Sequence, residues 1–356
     1  MNALFTAPAL TIREADLNDT RERARIIGYL AEDADSTPFH HPAWNRAVVR
    51  ACGQKAHYLV AERGGTIVGV LPLIDIRSPV VGRSLTSVGF GVDGGILASD
   101  PKAHRALEDA CWTLAQTLGT TTVDLRGGTV TGEGWHADRD TYLGFARDLT
   151  ATHESELLAI PKKQRAEVRR SFTFDLSVTT GRGKRDLAAQ YRCYSESMRN
   201  LGTPMFPRSL FSAMLEEYGD DADILTVWQG ERPLSSTLNV YWAGVMYPFY
   251  GGGVREARDL RANDRMFYGY ACHALDRGCR RLDLGRSKAG SGPAAFKKNF
   301  GYAPRPLTYW RRTLDGSPPR TVNPLDPKYA RKTKLWKKLP LPVANLIGPL
   351  IARGLG

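Results

Sequence analysis

What most limits the folds open to this chain is that it spells one pattern twice. HYLVAERGGTIVGVLPLI reads as a β-hairpin turning at Gly64-Gly65, and ILTVWQGERPLSSTLNVY as a second turning near Gly230-Glu231, because each sets strand-like apolar runs around a turn signal. Each hairpin is followed by a glycine pair and then a helix. In the first copy Asp100-Pro101 supplies a cap and a first-turn proline, apolar residues recur at helical spacing from Leu107 to Leu118, and Gly119 stops the helix. In the second, Asn263 or Asp264 is the expected cap, the apolar stripe runs from Met266 to Leu275, and Gly278 is the stop. Five positions beyond each stop stands an aspartate between aliphatic residues, Val123-Asp124-Leu125 and Leu282-Asp283-Leu284.

Hairpin, strand, helix, strand predicts an α/β fold in which a helix covers a mixed sheet, here used in tandem. A length of 356 residues also favours two domains. The expected divisions are an N-terminal domain over 1–150, a C-terminal domain over 151–312 and a basic, Pro-containing tail over 313–356. Between the copies, 154–170 and 186–201 each read as a helix.

Five cysteines without a C-x-x-C pair encode neither a zinc knuckle nor a disulfide framework, and no metal site is expected. The opening MNALFTAPALTIREAD lacks the basic lead-in of a signal peptide, and no segment approaches the roughly 18–20 apolar residues of a spanning helix. A cytoplasmic protein is expected. The net charge of +12 is uneven: Arg311 to Gly356 holds 10 Lys and Arg against 2 acidic residues, a net of +8 that leaves +4 for the preceding 310 residues. So balanced a body argues against sequence-specific DNA binding, which rests on clustered cations. The tail's KLWKKLPLPVANLIGPLIARGLG joins a basic lead to a short apolar stretch, leaving two readings: peripheral attachment to an anionic inner-membrane leaflet, or a strap packed across the body.

The stretch richest in chemistry is LDLGRSKAGSGPAAFKKNFG, 282–301. Its strand delivers Arg286, Ser287 and Lys288 to the carboxyl end, where ligands of α/β sheets bind. A loop with Gly290 and Gly292 follows, then Phe296, Lys297 and Lys298. A Walker loop fails because Ser291-Gly292 stand where Lys-Ser should follow Gly290, and the partial G-x-G pattern has no first βαβ unit around it. Cations and loop N–H groups together can hold a phosphate or stabilise a developing oxyanion.

Through SKAGSGPAAFKKNFGYAPRPLTYW the chain resembles the carboxyl end of FemAB-like acyltransferases of the GNAT superfamily, where a strand, a Gly-containing loop and a Phe-Lys-x-x-Phe/Trp-Gly motif close the second of two GNAT-like domains. The likeness extends through MYPFYGGG and the Asn263-Asp264 helix, and TPFHHPAW resembles the family's opening Phe-His-x-x-x-Trp. It covers most of 30–312 and is nearest to the FemAB-related proteins associated with PEP-CTERM and exopolysaccharide systems. The resemblance implies tandem GNAT-like domains and transfer of an acyl or aminoacyl group to an amine of a cell-envelope or exopolysaccharide precursor. It also implies that Lys297 stabilises charge at the transferred carbonyl.

Such a transfer needs a neutral amine, a polarised carbonyl and a proton acceptor. Pro248 marks a distorted strand whose N–H groups can assist Lys297. For the proton, Asp283, Tyr250 and His273 are candidates. Arg286, Ser287, Lys288, the Gly290 and Gly292 backbone, Phe296, Lys298 and Asn263 are candidates for holding the donor or an anionic acceptor. RDLRAND stands where CoA-binding GNAT proteins resemble one another in R/Q-x-x-G-x-G/A. With no glycine there CoA is not supported, so aminoacyl-tRNA or an acyl carrier protein is at least as good a donor as acyl-CoA, the donor stays open among the three, and no permanently bound cofactor is expected. In PKKQRAEVRRS, Lys162, Arg165 and Arg169 share a helix face that can meet the phosphates of a carrier or precursor. His40 and Trp44 either line the acceptor groove or serve as turn and core residues. The rival reading from another class keeps the fold and drops turnover: a GNAT-like adaptor in an exopolysaccharide or protein-sorting system.

Overall fold

The computed structural model describes residues 8–78, 82–319 and 327–356. The opening residues weighed above as a leader, 1–7, and residues 320–326 of the basic tail lie outside the described residues. The first half runs β1 (Leu10–Glu14), α1 (Thr20–Glu32), α2 (Pro42–Cys52), β2 (Lys55–Arg63), β3 (Thr66–Ser78), β4 (Gly82–Ser87), β5 (Leu97–Ala98), α3 (Pro101–Leu118), β6 (Thr122–Arg126), β7 (His136–Asp138) and β8 (Tyr142–Asp148). After α4 (His153–Ala159) and α5 (Lys162–Ser171), the second half repeats the plan with β9 (Ser177–Gly181), α6 (Lys184–Leu201), α7 (Arg208–Tyr218), β10 (Ala222–Gln229), β11 (Arg232–Trp242), β12 (Val245–Gly253), α8 (Ala262–Asp276), β13 (Arg281–Lys288), α9 (Gly292–Asn299), β14 (Pro304–Pro306) and β15 (Tyr309–Thr313). The tail adds α10 (Pro327–Lys338) and α11 (Leu341–Ala352).

The two sheets are topological copies. One has the order β1-β2-β3-β4-β6-β15-β7, with β5 beside β3, and the other reads β9-β10-β11-β12-β13-β8-β14 from its matching edge. In each, an antiparallel meander meets a parallel pair, β4 with β6 or β12 with β13, joined through a covering helix. In each, too, the place beside that pair is filled by a strand from the other half: β8 pairs with β13, and β15 with β6. The sequence division at 150 therefore cuts past a strand of the second sheet, because β8 crosses the seam before the first half's chain has ended. The expected mixed-sheet α/β tandem is observed, with the halves clasped by strand exchange.

Local signals placed most of these elements. The first hairpin turns at Gly64 and Gly65, both at positive φ (57° and 82°), as a tight two-residue turn requires. The Asp100 side chain caps α3 by accepting from Lys102 and Ala103 N–H, and Gly119 closes it in the left-handed conformation. Two expectations need correction. The helix expected over 154–170 is two helices, broken at Ile160-Pro161: proline lacks the N–H that would continue the first helix and forces the preceding residue into extended backbone. Nor is α8 capped by Asn263 or Asp264. The cap position is Arg261, two residues before Asn263, and both side chains are otherwise engaged, Asn263 accepting from Ser235 Oγ at 2.8 Å and Asp264 from Gln164.

Each sheet buries one face under its own helix, α3 over Leu71, Leu85 and Val123, and α8 over Leu225, Met246 and Leu282. The opposite faces share one core at the seam, where Phe39, Trp44 and Phe90 of the first half pack with Tyr194, Phe211 and Met214 of the second. Helices α2 and α7 cross this seam and are tied by Arg46 to Glu217 at 2.6 Å and by Arg50 to Glu216 and Glu217.

Candidate active site

Two strand irregularities open the site. β12 and β13 pair only at Val245↔Arg281 and Met246↔Leu282. Beyond that point Pro248 has no N–H to offer and Tyr250 takes φ 60°, so the strands part. On its other side β13 bulges against β8 between Asp283 and Arg286. The bulge turns at Gly285, where φ is 63°, a left-handed conformation that favours glycine.

Lys297, buried on α9, reaches beneath this bulge. Its Nζ donates to the carbonyls of Leu284 (2.6 Å), Arg286 (3.2 Å) and Gly285 (3.4 Å) and lies 5.2 Å from the Phe145 ring centre. Burial brings its pKa down to about 8, against the pull of Asp283. The Asp283 carboxylate accepts the Gly285 N–H at 2.7 Å, and burial raises its pKa against that bond and the charges of Lys297, Arg305 and Arg281.

Asp283 is not alone. It lines a cavity of about 30 Å³ at the seam together with Asp93, Gly285, Tyr247, Phe39 and Arg305. That is room for a water between two carboxylates. Burial first, then repulsion from Asp283 and Asp35, brings Asp93 up to about 6, with Arg305 opposing from 3.9 Å.

Asp93 sits in VGFGVDGG, a loop whose backbone is held throughout. All eight carbonyls from Val88 to Gly95 accept a side-chain hydrogen bond: Val88 and Gly91 from Arg126, Gly89 from Trp44, Phe90 from Tyr250, Val92 from Tyr309, Asp93 from Thr37, Gly94 from Ser87 and Gly95 from His40. Tyr250, on β12, reaches across the seam to do so, whereas Tyr309 comes from β15 of the same sheet. A carbonyl can only accept, so His40 carries its proton on Nε2; its Nδ1 then accepts the Thr37 N–H at 3.1 Å. Burial lowers the His40 pKa to about 4, and the ring stays neutral. Gly127, at φ 81°, is where the loop meets the first sheet: a Cβ there would lie 1.6 Å from Asp93 Oδ1.

These contacts sort the expected site residues. Lys297 and Asp283 come together. Tyr250 is corrected from proton acceptor to latch: its hydroxyl donates to Phe90 O at 2.7 Å, and burial raises its pKa well above the ordinary value, so it keeps its proton. Trp44, 1% exposed, is a core residue and not a groove wall, and His40 holds the Asp93 loop. The Arg286 guanidinium stacks 4.5 Å from the Tyr142 ring centre and donates to Tyr309 Oη at 2.8 Å, while Ser287 is buried and Lys288 half-buried. Gly290 forms an exposed turn at φ 74° and Gly292 opens α9 with free space around it, so neither shapes a cradle. Phe296 packs on Phe267 at 4.8 Å, and Lys298 is exposed. Lys162, Arg165 and Arg169 project from α5, and none of them lines the cavity. His273 pairs with Asp223 at 2.8 Å in a network with Asn239 and Tyr241.

Residues 162–298 match the family model for an acetyltransferase (GNAT) domain. The whole chain is similar to the crystal structure of FemX (TM-score 0.64, 14% identity, covering 82% of this chain and 96% of that one). It is also similar to a tandem GNAT protein from the clavulanic acid biosynthesis pathway (TM-score 0.54, 14% identity, 88% of this chain and 100% of that one). A third likeness is to L-PGS from Bacillus licheniformis (TM-score 0.52, 14% identity, 90% and 98%). No curated protein matches the sequence. The chain folds as two tandem GNAT-like domains.

In this tandem GNAT-like chain the site is asymmetric. The second domain contributes the parted strands, Lys297 and Asp283, and the first contributes Asp93 on its braced loop. The segment before α8, RDLRAND, carries Arg261 in the left-handed conformation with its guanidinium on Glu167. The first turn of α8 holds the Asp264 carboxyl, raised to about 6 by burial. Two acidic side chains thus stand where a helix N-terminus would otherwise attract an anion.

Sequence reasoning missed Asp93. No motif marks it, but a signal was present: a glycine-dense loop, VGFGVDGG, in a chain that also carries the loop's future donors Thr37, His40 and Trp44 in TPFHHPAW.

Proposed function

We propose that the chain transfers an acyl or aminoacyl group from a carrier to an amine at the seam between its domains. The observation that carries this reading is a cavity lined by two carboxylates whose pKa values are raised, Asp93 and Asp283, beside the parted strands and the bulge that the buried Lys297 holds from beneath. The neutral amine attacks the carbonyl carbon and forms the C–N bond. The positive charge of Lys297, held under the bulge, favours the developing oxyanion. The C–O or C–S bond to the carrier then breaks while the amine's proton passes to Asp93, whose pKa near 6 suits an acceptor at neutral pH, and Asp93 hands that same proton to the departing carrier.

The acidic residues at the α8 N-terminus favour aminoacyl-tRNA or an acyl carrier protein over acyl-CoA as donor. For the acceptor, we read an amine on a cell-envelope or exopolysaccharide precursor, on the strength of the resemblance at the carboxyl-terminal motif. The test is mass spectrometry of donor and acceptor pools after incubation with charged tRNA, acyl carrier protein or acyl-CoA. An acylated amine formed by the wild type and lost in Lys297→Ala supports the reading. Unchanged pools with competent donors and acceptors present, or equal product from the variant, would overturn it.

A further inference from the structure

Helix α11 is packed the wrong way round for a helix in water. Ala344, Gly348 and Ala352, spaced four apart, are its buried residues, while Val343, Leu346 and Leu350, on the opposite face at 100° per residue, are exposed by 42%, 73% and 59%. The buried face is small for a reason: a Cβ on Gly348 would lie 2.2 Å from Met205 Sδ, so the helix backbone lies directly on the body. The end of the helix is pinned as well. Gln54 Nε2 donates to Arg353 O at 2.6 Å, and Arg126 to Gly356 O at 2.7 Å. The outward leucines are thus held in place by the fold and do not belong to a loose segment. With Leu335, Ile351 and Leu355, six of the ten large exposed hydrophobic residues described lie in this tail, so the apolar surface is concentrated in one strip.

Charge identifies the occupant. Residues 327–356 contain seven Lys and Arg and no acidic residue, and Lys334, Lys337, Lys338 and Arg353 are exposed. A second copy of the strip would bring like charges together, whereas an anionic lipid surface offers both an apolar layer for the leucines and negative headgroups for the lysines. Among the described residues no helix is long and apolar enough to cross a membrane, and the strip suits lying on one. We propose that α10 and α11 form a preformed docking face for an anionic lipid bilayer, which would hold the protein at the membrane surface by its tail. This does not depend on the chemistry proposed above.

The test is flotation of the full chain with vesicles of phosphatidylglycerol and phosphatidylcholine, against phosphatidylcholine alone. Wild type is expected to partition onto the anionic vesicles at least about tenfold better and to be released as salt rises. Leu346→Ser/Leu350→Ser should lower partitioning at least about fivefold, because two leucines lose their place in the apolar layer. Lys334→Glu/Lys337→Glu/Lys338→Glu should abolish the preference for anionic vesicles. Leu158→Ser, an exposed leucine elsewhere, should change nothing, and circular-dichroism melts of all variants should match wild type. Wild type that stays unbound, leucine variants that float as well as wild type, or self-association by light scattering without vesicle binding would overturn the proposal.

Discussion

Asp93 should make the protein less stable in order to make it active, and Asp93→Asn tests this. The carboxyl group is raised from its ordinary 3.8 to about 6, chiefly because burial disfavours its charged form. A group whose folded pKa is raised binds its proton more tightly in the folded state. For a carboxyl this means that the ionised form carries a penalty, absent below pH 4 and complete above pH 6. A rise of that size corresponds to at most about 3 kcal/mol. About a third of the side chain remains exposed, and discounting for solvent screening leaves about 1–2 kcal/mol.

Asparagine keeps the shape beside Gly127 and cannot ionise. The variant should melt roughly 2–4 °C higher than wild type at pH 7.5, with the gap closing as pH falls toward 4.5. Transfer activity should fall by about 10²–10⁴, the usual worth of a positioned acid or base. An Asp93→Asn variant that is no more stable at pH 7.5, or whose gain is the same at both pH values, would refute the burial argument. A stabilised variant with full activity would leave that argument standing and remove Asp93 from the chemistry.

Four further outcomes follow from the same geometry. The kcat/KM profile should rise through about pH 6 as the Asp93 proton is lost and fall through about pH 8 as Lys297 loses its charge, a bell that pH-rate measurements on wild type would show. Trp44→Ala removes a side chain 1% exposed at the seam and its bond to Gly89 O, and should cost about 3–5 kcal/mol in denaturant unfolding. Tyr250→Phe leaves the Phe90 carbonyl without its donor and should cost about 1–3 kcal/mol while leaving both limbs of the pH profile in place. Gly127→Ala puts a methyl group where Asp93 Oδ1 now lies and should depress activity more than Trp44→Phe, which keeps the loop's space; parallel kinetics would compare them.

Legibility in the sequence followed the range of the interaction. Both hairpin turns, the Asp100 cap and the Gly119 stop are decided within a few residues, and all were readable. The break at Pro161 was equally local, and the single helix expected over 154–170 passed over the proline that governs backbone geometry there. Strand exchange was not readable. β8 and β15 are ordinary strands by composition, and which sheet each joins is settled by packing across the seam. The site divides the same way. Lys297 and Asp283 lie close together in one motif-bearing stretch, whereas Asp93 acquires its meaning only when Thr37, His40, Trp44, Arg126, Tyr250 and Tyr309 close on its loop.

The duplication accounts for why there is one site and where it lies. Two like units, each covering one sheet face with its own helix, bury their opposite faces under a shared layer of α2, α6 and α7, so the seam is a true core with Trp44, Phe211 and Tyr309 fully within it. Strand exchange then makes each sheet incomplete without the other half. A cavity in such a seam is braced from both sides, which a cleft between hinged domains is not. The braced loop exploits this: the Phe90 carbonyl of the first sheet's loop is held by Tyr250 of the second sheet, and the Val92 carbonyl by Tyr309 on the exchanged strand β15, so Asp93 is fixed relative to Lys297 although the two are far apart in sequence. Burial raises Asp93 toward the pKa an acceptor needs, and repulsion from Asp283 adds to it because neither backbone can retreat.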